Sequence, residues 1–303
     1  MFGYTGNGAY CYANSLHMCL QAAGAQPLPE PGFIECLTLM PFGASYSDAL
    51  GFFPSAGISD PDFGVTLALR HAGWQCDEWH ADEKDGREAL VFLGEVLRAG
   101  PAMIGPLDVN RLSYHARRGS GDHYVVGLGM KDEGIIVHDP AGFPFAEIPA
   151  DDLLEAWGAN VGYGHPFTLR TNARNLEHFA ISEMADRAIE SLRNKLLETP
   201  GGPIRYRGPN AFHRAADLLR SGEPPASLRG MQYFALPLGA RRCQDASRFL
   251  TDARLPDAAA AMARKAELYG RAQYDAVHEN WAALAVVFDG LANAEEAFHG
   301  AMT

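Results

Sequence analysis

Cys11 follows a glycine-rich stretch, Tyr4-Thr5-Gly6-Asn7-Gly8-Ala9-Tyr10, and opens an apolar run. A thiol delivered to a helix start meets free backbone N–H groups and the positive end of the helix dipole, which favour thiolate. Far downstream, Gly121-Asp122-His123-Tyr124-Val125-Val126-Gly127 puts a histidine at the opening of a β-branched segment, and Ile135-Ile136-Val137-His138-Asp139-Pro140 ends the next segment on an aspartate. A histidine near a cysteine can take the thiol proton, and a carboxylate can orient that histidine. Cys11, His123 and Asp139 are therefore the expected nucleophile, general base and acid, and orienting group. Asn7 is the nearest amide ahead of Cys11 and the candidate partner of the Cys11 backbone N–H in holding an oxyanion, with a plain Asn-Gly turn residue as the alternative. Asp108 and Tyr114, on the approach to His123, are candidate acceptor contacts, with a plain loop role as the alternative.

Taken singly, each of these residues also fits a structural role: a buried helix cysteine, a strand histidine, a turn aspartate before Pro140. Their joint placement carries the chemistry. No cofactor or metal is expected. Gly6-Asn7-Gly8 and Gly127-Leu128-Gly129 lack the lysine or third glycine of a phosphate loop, and His138-Asp139 has no second histidine following it on a helix.

The elements that must position these residues follow from periodicity. Leu16, Cys19, Leu20 and Ala23 recur at helical spacing, so residues 11–24 are predicted helical, ending at Gly24. Residues 27–61, rich in Gly, Pro and aromatics, read as irregular covering structure. A helix capped by Asp62 and ended by Gly73, a strand over 74–79 and a helix over 86–98 follow. Strands are expected at 102–105, 123–130, 134–138, 143–148 and 164–170, with a turn at 131–134 and a helix at 150–157. Helix first and sheet afterwards is an α+β order. Beyond residue 173 the strand signals largely vanish: helices are expected at 175–198 and 210–220, with two or three more from Met231. The predicted domains are thus 1–172, carrying the chemistry, and 173–303, all-α.

Charge separates the same two parts. Of 37 Asp+Glu and 25 Lys+Arg, residues 1–172 hold 21 and 9, and residues 173–303 hold 16 and 16. An acidic catalytic part disfavours nucleic acid and attracts cationic substrates, although solubility alone also accounts for it. The five cysteines are odd in number and form no Cys-x-x-Cys, against a disulfide framework or structural zinc. No apolar run is long enough for a membrane span, and the N-terminus lacks a signal-peptide pattern, so a cytoplasmic location is expected. Arg241, Arg242 and Arg248 are either a basic spot for an acidic carrier protein or a solvated helix face. Tyr269, Trp281 and Phe288 read as core or an oligomer seam, and the long Ala-rich helices as a homodimer surface.

The segments 122–127 and 136–142 resemble the His and Asp half of papain-like cysteine peptidases, the bacteriocin-processing leader peptidases (peptidase C39-like) nearest among them. With Cys11 near the N-terminus, and 106–108 and 112–114 between, the chain resembles the butirosin-biosynthesis protein H family. That resemblance implies a papain-like domain, its N-terminal helix packed on an antiparallel sheet, followed by a helical domain. It implies an acyltransferase of antibiotic biosynthesis that forms an acyl-Cys11 thioester and passes the acyl group from a carrier-protein thioester to a small amine. One position departs from the papain pattern: Thr5 stands where a glutamine usually helps hold the oxyanion. An intracellular peptidase or amidohydrolase, and a silent papain-like binding module, stay open as alternatives.

Overall fold

The computed structural model describes residues 3–6, 9–48, 51–56, 60–81, 86–115, 121–132, 134–196, 206–221, 224 and 226–303. In chain order its elements are α1 (Cys11–Ala22), α2 (Pro31–Leu37), β1 (Ser45–Ser47), β2 (Gly51–Phe53), α3 (Pro61–Ala72), β3 (Trp74–Trp79), α4 (Gly86–Ala99), β4 (Ala102–Asp108), β5 (Asp122–Lys131), β6 (Gly134–Asp139), β7 (Phe143–Pro149), α5 (Ala150–Trp157) and β8 (Leu169–Asn175). Then come α6 (Ile181–Leu196), β9 (Tyr206–Arg207), α7 (Pro209–Arg220), α8 (Ala226–Arg229), α9 (Ala235–Asp252), α10 (Pro256–Val277) and α11 (Trp281–Met302). A mixed α+β region is followed by a mostly helical one.

The chain divides into two compact units. The first holds Met1–Ile34 and Asp60–Ala180, the second Glu35–Ser59 and Ile181–Thr303. The expected single boundary at 172/173 instead falls inside β8, whose pairing with β3 continues to Trp74↔Asn175. Residues 27–61, expected to be irregular, contain α2 and the β1–β2 pair. Composition hid that pair, because β1 gains its second neighbour, β9, only from far along the chain.

In the first unit six strands form one sheet in the order β3-β8-β4-β5-β6-β7, every pairing antiparallel. Side chains alternate between its faces. Ile104, Val125, Val137 and Ile148 pack with Leu93 and Leu97 of α4 and with Leu153 and Trp157 of α5. On the opposite face Tyr124 meets Tyr12 of α1, ring centroids 6.0 Å apart, and Ser15 Oγ donates to the Tyr124 carbonyl at 3.2 Å. This contact fixes α1, and Cys11 with it, against β5.

Local rules explain the helix ends. Asp60, not Asp62, caps α3 by accepting from Phe63 N–H at 2.7 Å. Asp62 is instead taken by Arg170 Nη1 at 2.9 Å and the Tyr124 hydroxyl at 3.2 Å. Gly73 ends α3 at φ 76°, the left-handed conformation glycine adopts at least cost, and a Cβ there would lie 2.2 Å from the Glu177 carbonyl.

The second unit joins the small sheet β2-β1-β9 to α6–α11. Its interior is aromatic: Phe42 stacks on Phe298 at 5.9 Å, and Phe52 meets Phe288 edge-on at 5.0 Å. Tyr269 and Phe288 are fully buried, so both belong to the core. Arg242 is buried as well, pairing with Glu35 at 2.8 Å and donating to the Pro54 carbonyl at 2.8 Å, which removes it from any exposed basic spot. A second buried pair, Lys265–Glu295, ties α10 to α11.

Candidate functional site

β5 and β6 set His123 and Asp139 side by side. Their pairing ends at Val126↔His138, and His123 and Asp139 lie just beyond it at adjoining strand ends. His123 Nε2 lies 2.8 Å from Asp139 Oδ1. The same oxygen accepts from Ala141 N–H at 2.7 Å. Oδ2 accepts from the Tyr114 hydroxyl at 2.8 Å and lies 2.7 Å from His115 Nε2. Asp139 has no exposed surface. Burial would raise its pKa, but the bonds from His115 and His123 prevail and hold the carboxyl well below the usual range. An ionised carboxylate only accepts, so both rings donate from Nε2–H, the arrangement in which an unprotonated Nδ1 is an acceptor.

Two further devices brace this cluster. Tyr4 donates to the Asp139 carbonyl at 2.8 Å and accepts from Gly142 N–H at 2.9 Å, pinning the segment ahead of Cys11 to the 139–142 turn. At Gly105 the β4–β5 register shifts between Ile104 and Leu107. There φ is 144°, and a Cβ would lie 2.6 Å from the Tyr124 ring and 2.7 Å from the His123 carbonyl.

Cys11 is the first residue of α1, preceded by Tyr10 in the left-handed region at φ 58°. Fully buried Asn14 holds this turn by donating to the carbonyls of Ala9 and Tyr10 at 2.7 and 2.9 Å. The residue as a whole is half-buried, and the enclosure of its thiol dominates its chemistry. Burial, then the charge of Asp122, push it well up, against hydrogen bonds from the backbone N–H of Tyr124 and Tyr12. The expected thiolate is therefore not the resting form: the helix start sits beside a carboxylate and is shielded from water. Cys11 and His123 are not hydrogen-bonded to each other; α1 docks instead on Tyr124, the residue after His123, through Ser15 and Tyr12.

The other sequence candidates fall elsewhere. Asp108 accepts from Asn110 N–H at 3.1 Å and Arg111 Nε at 3.3 Å, capping a short turn, and does not join the cluster. Tyr114 joins it as a partner of Asp139. Asn7 lies outside the described residues. Sequence reasoning missed His115, Tyr4 and Asn14, which act from loops or on the backbone and carry no periodic signal. It also expected no metal, yet among the described residues His115, His123 and Asp139 form a group whose ligand atoms all lie within 4.8 Å of one another. None of the described helices is long and apolar enough to cross a membrane.

The chain is 30% identical over 306 residues to the uncharacterized protein YobF of Bacillus subtilis (strain 168), across 98% of this chain and 97% of that protein. The chain belongs to the YobF family. A model of the YobF C-terminal domain also matches residues 203–303, the stretch that holds α7–α11. This corrects the expected membership of the butirosin-biosynthesis protein H family. The segments behind that expectation are short, and a cysteine, histidine and aspartate in this order suit any chain that builds such a site. The YobF match runs the length of the chain.

Proposed function

We propose that this YobF-family protein is a cysteine-dependent enzyme of acyl chemistry, with Cys11 as nucleophile, His123 as general base and acid, and Asp139 as the residue positioning His123. One observation carries the reading: buried Asp139 holds His123 Nε2 at 2.8 Å, while Cys11 opens the helix that docks through Ser15 and Tyr12 on Tyr124, the residue after His123. The Nε2–H bond to Asp139 leaves His123 Nδ1 free to accept a proton. Because the resting thiol is neutral, the proton passes to Nδ1 as sulfur attacks, after the side chain turns from the Tyr124 N–H toward the ring. The sulfur–carbonyl bond forms, the leaving group departs with the proton from His123, and an acyl-Cys11 thioester results. An amine or water then attacks, and sulfur leaves as the thiol. A small cationic amine acceptor suits the acidic first part of the chain, and the donor is a thioester on a carrier. Peptide or amide hydrolysis is the same chemistry with water as acceptor.

Iodoacetamide labelling and intact mass test this. Cys11 should label faster than the other four thiols and gain an acyl mass from a simple acyl thioester, and Cys11→Ala should do neither. An unmodified mass after prolonged incubation with thioesters, in a protein whose Cys11 labels no faster than its other thiols, ends the proposal. Partition of the acyl-enzyme between water and added amines distinguishes hydrolase from transferase.

A further inference from the structure

The second histidine on Asp139 exceeds what orienting His123 requires. His115 Nε2 and His123 Nε2 come from separate segments and approach the two oxygens of one buried carboxylate at 2.7 and 2.8 Å. Their rings meet edge to face with centroids 5.2 Å apart. All three ligand atoms lie within 4.8 Å of one another. Two imidazoles and a carboxylate are the donor set of first-row divalent ions, zinc and cobalt among them, and three protein ligands leave a coordination position open. Bonds of about 2.0–2.2 Å to a shared ion need ligand atoms roughly 3–3.5 Å apart, so the two nitrogen–oxygen contacts have to lengthen by about 0.5 Å, and the two ring nitrogens, no more than 4.8 Å apart, have to settle into the same range. His115 keeps 13% of its side-chain surface exposed, which gives an ion a path in, while Asp139 is sealed beneath it.

The geometry points to a reversible site for a zinc-class divalent ion at His115, His123 and Asp139 that switches Cys11 chemistry off. Without the ion, both Nε2–H groups donate to Asp139. With it, both Nε2 lone pairs bind the metal, and each neutral ring keeps its single proton on Nδ1. His123 Nδ1 is then a donor and cannot take the thiol proton. Binding rests on the donor set and its geometry alone; the loss of reactivity rests on the role proposed above for His123.

The full-length chain is titrated with Co2+, followed by its visible absorption, and with Zn2+ in competition with a chromophoric chelator. The expected result is one equivalent bound, the same in Cys11→Ala. His115→Phe, which keeps the aromatic packing, should lose at least about 100-fold in affinity, beyond the 10–100-fold worth of an outer-shell partner. Asp139→Asn serves the same purpose should His115→Phe misfold. Absence of stoichiometric binding, equal affinity in the ligand variant, or loss of binding in Cys11→Ala would overturn the site. Iodoacetamide labelling with and without Zn2+ then reads the switch: slower labelling supports it, and unchanged labelling of a metal-loaded chain removes the switch and leaves the site. A Cys11 that is unreactive even without metal would count against the nucleophile, and the metal titration stands apart from that outcome.

Discussion

Asp122 is the residue whose charge acts most directly on the Cys11 thiol, second only to burial itself. A carboxylate beside a thiol disfavours thiolate, so its removal should make Cys11 more reactive, not less. Removing a like charge lowers a thiol pKa by up to about one unit, or up to about tenfold in thiolate at fixed pH. Asp122→Asn is therefore expected to speed iodoacetamide labelling of Cys11 near pH 8 by roughly three- to tenfold, while Cys19 and Cys76, whose pKa values Asp122 does not shift, keep their rates. An unchanged Cys11 rate would show that burial alone sets its pKa. Cys11, His123 and Asp139 were legible in the sequence because each stands at an element edge marked by glycine, a β-branched run or proline. The partners that tune them were not. His115 ends a loop with no periodicity, Asn14 resembles any polar residue in a helix, and the effect of Asp122 on Cys11 requires knowing that α1 packs on β5.

Among the elements, β4 has the tightest tolerance near the site. Its register shifts at Gly105, where the backbone presses against His123 and Tyr124 with no room for a Cβ. Gly105→Ala has to move β4 or β5 and also strains a backbone that L side chains rarely adopt, an expected loss of about 1–3 kcal/mol. Because the displaced atoms are the carbonyl of His123 and the ring of Tyr124, Cys11 labelling should change together with the melting temperature. Wild-type values for both would mean that β4 yields without disturbing the site. The sequence predicted β3 and α5 to the residue, since each is bounded by clear start and stop signals. It placed β8 five residues early, at 164–170 in place of Leu169–Asn175, because this strand is chosen by its partners. Arg174 and Asn175 carry little strand signal and are recruited by pairing with Gln75 and Trp74 of β3.

For the molecule as a whole, charge buried within the second unit sets its acid limit. Glu295 is fully buried; burial would raise its pKa, but Lys265 prevails and holds it at about 2, against an ordinary 4.5. A lowered carboxyl pKa contributes stability that is complete above about 4.5 and is lost as pH falls toward 2. Denaturant unfolding followed by circular dichroism should show this loss between those limits. Glu295→Gln leaves Lys265 without its counter-charge and should cost roughly 3–5 kcal/mol at pH 7, and its stability should depend less on pH across that window. Wild-type and variant curves that run parallel from pH 7 to 2.5 would rule the pair out as the cause. The interleaved division of the chain has a further consequence, in time. On the ribosome the N-terminal part emerges first, and its six-stranded sheet is complete once residue 180 is free. Residues 35–59 are made early but belong to the second unit, so β1 waits unpaired on one edge until β9 is synthesised. During that interval Phe42 and Phe52, buried in the finished unit, have no complete core to enter until the last helices are made.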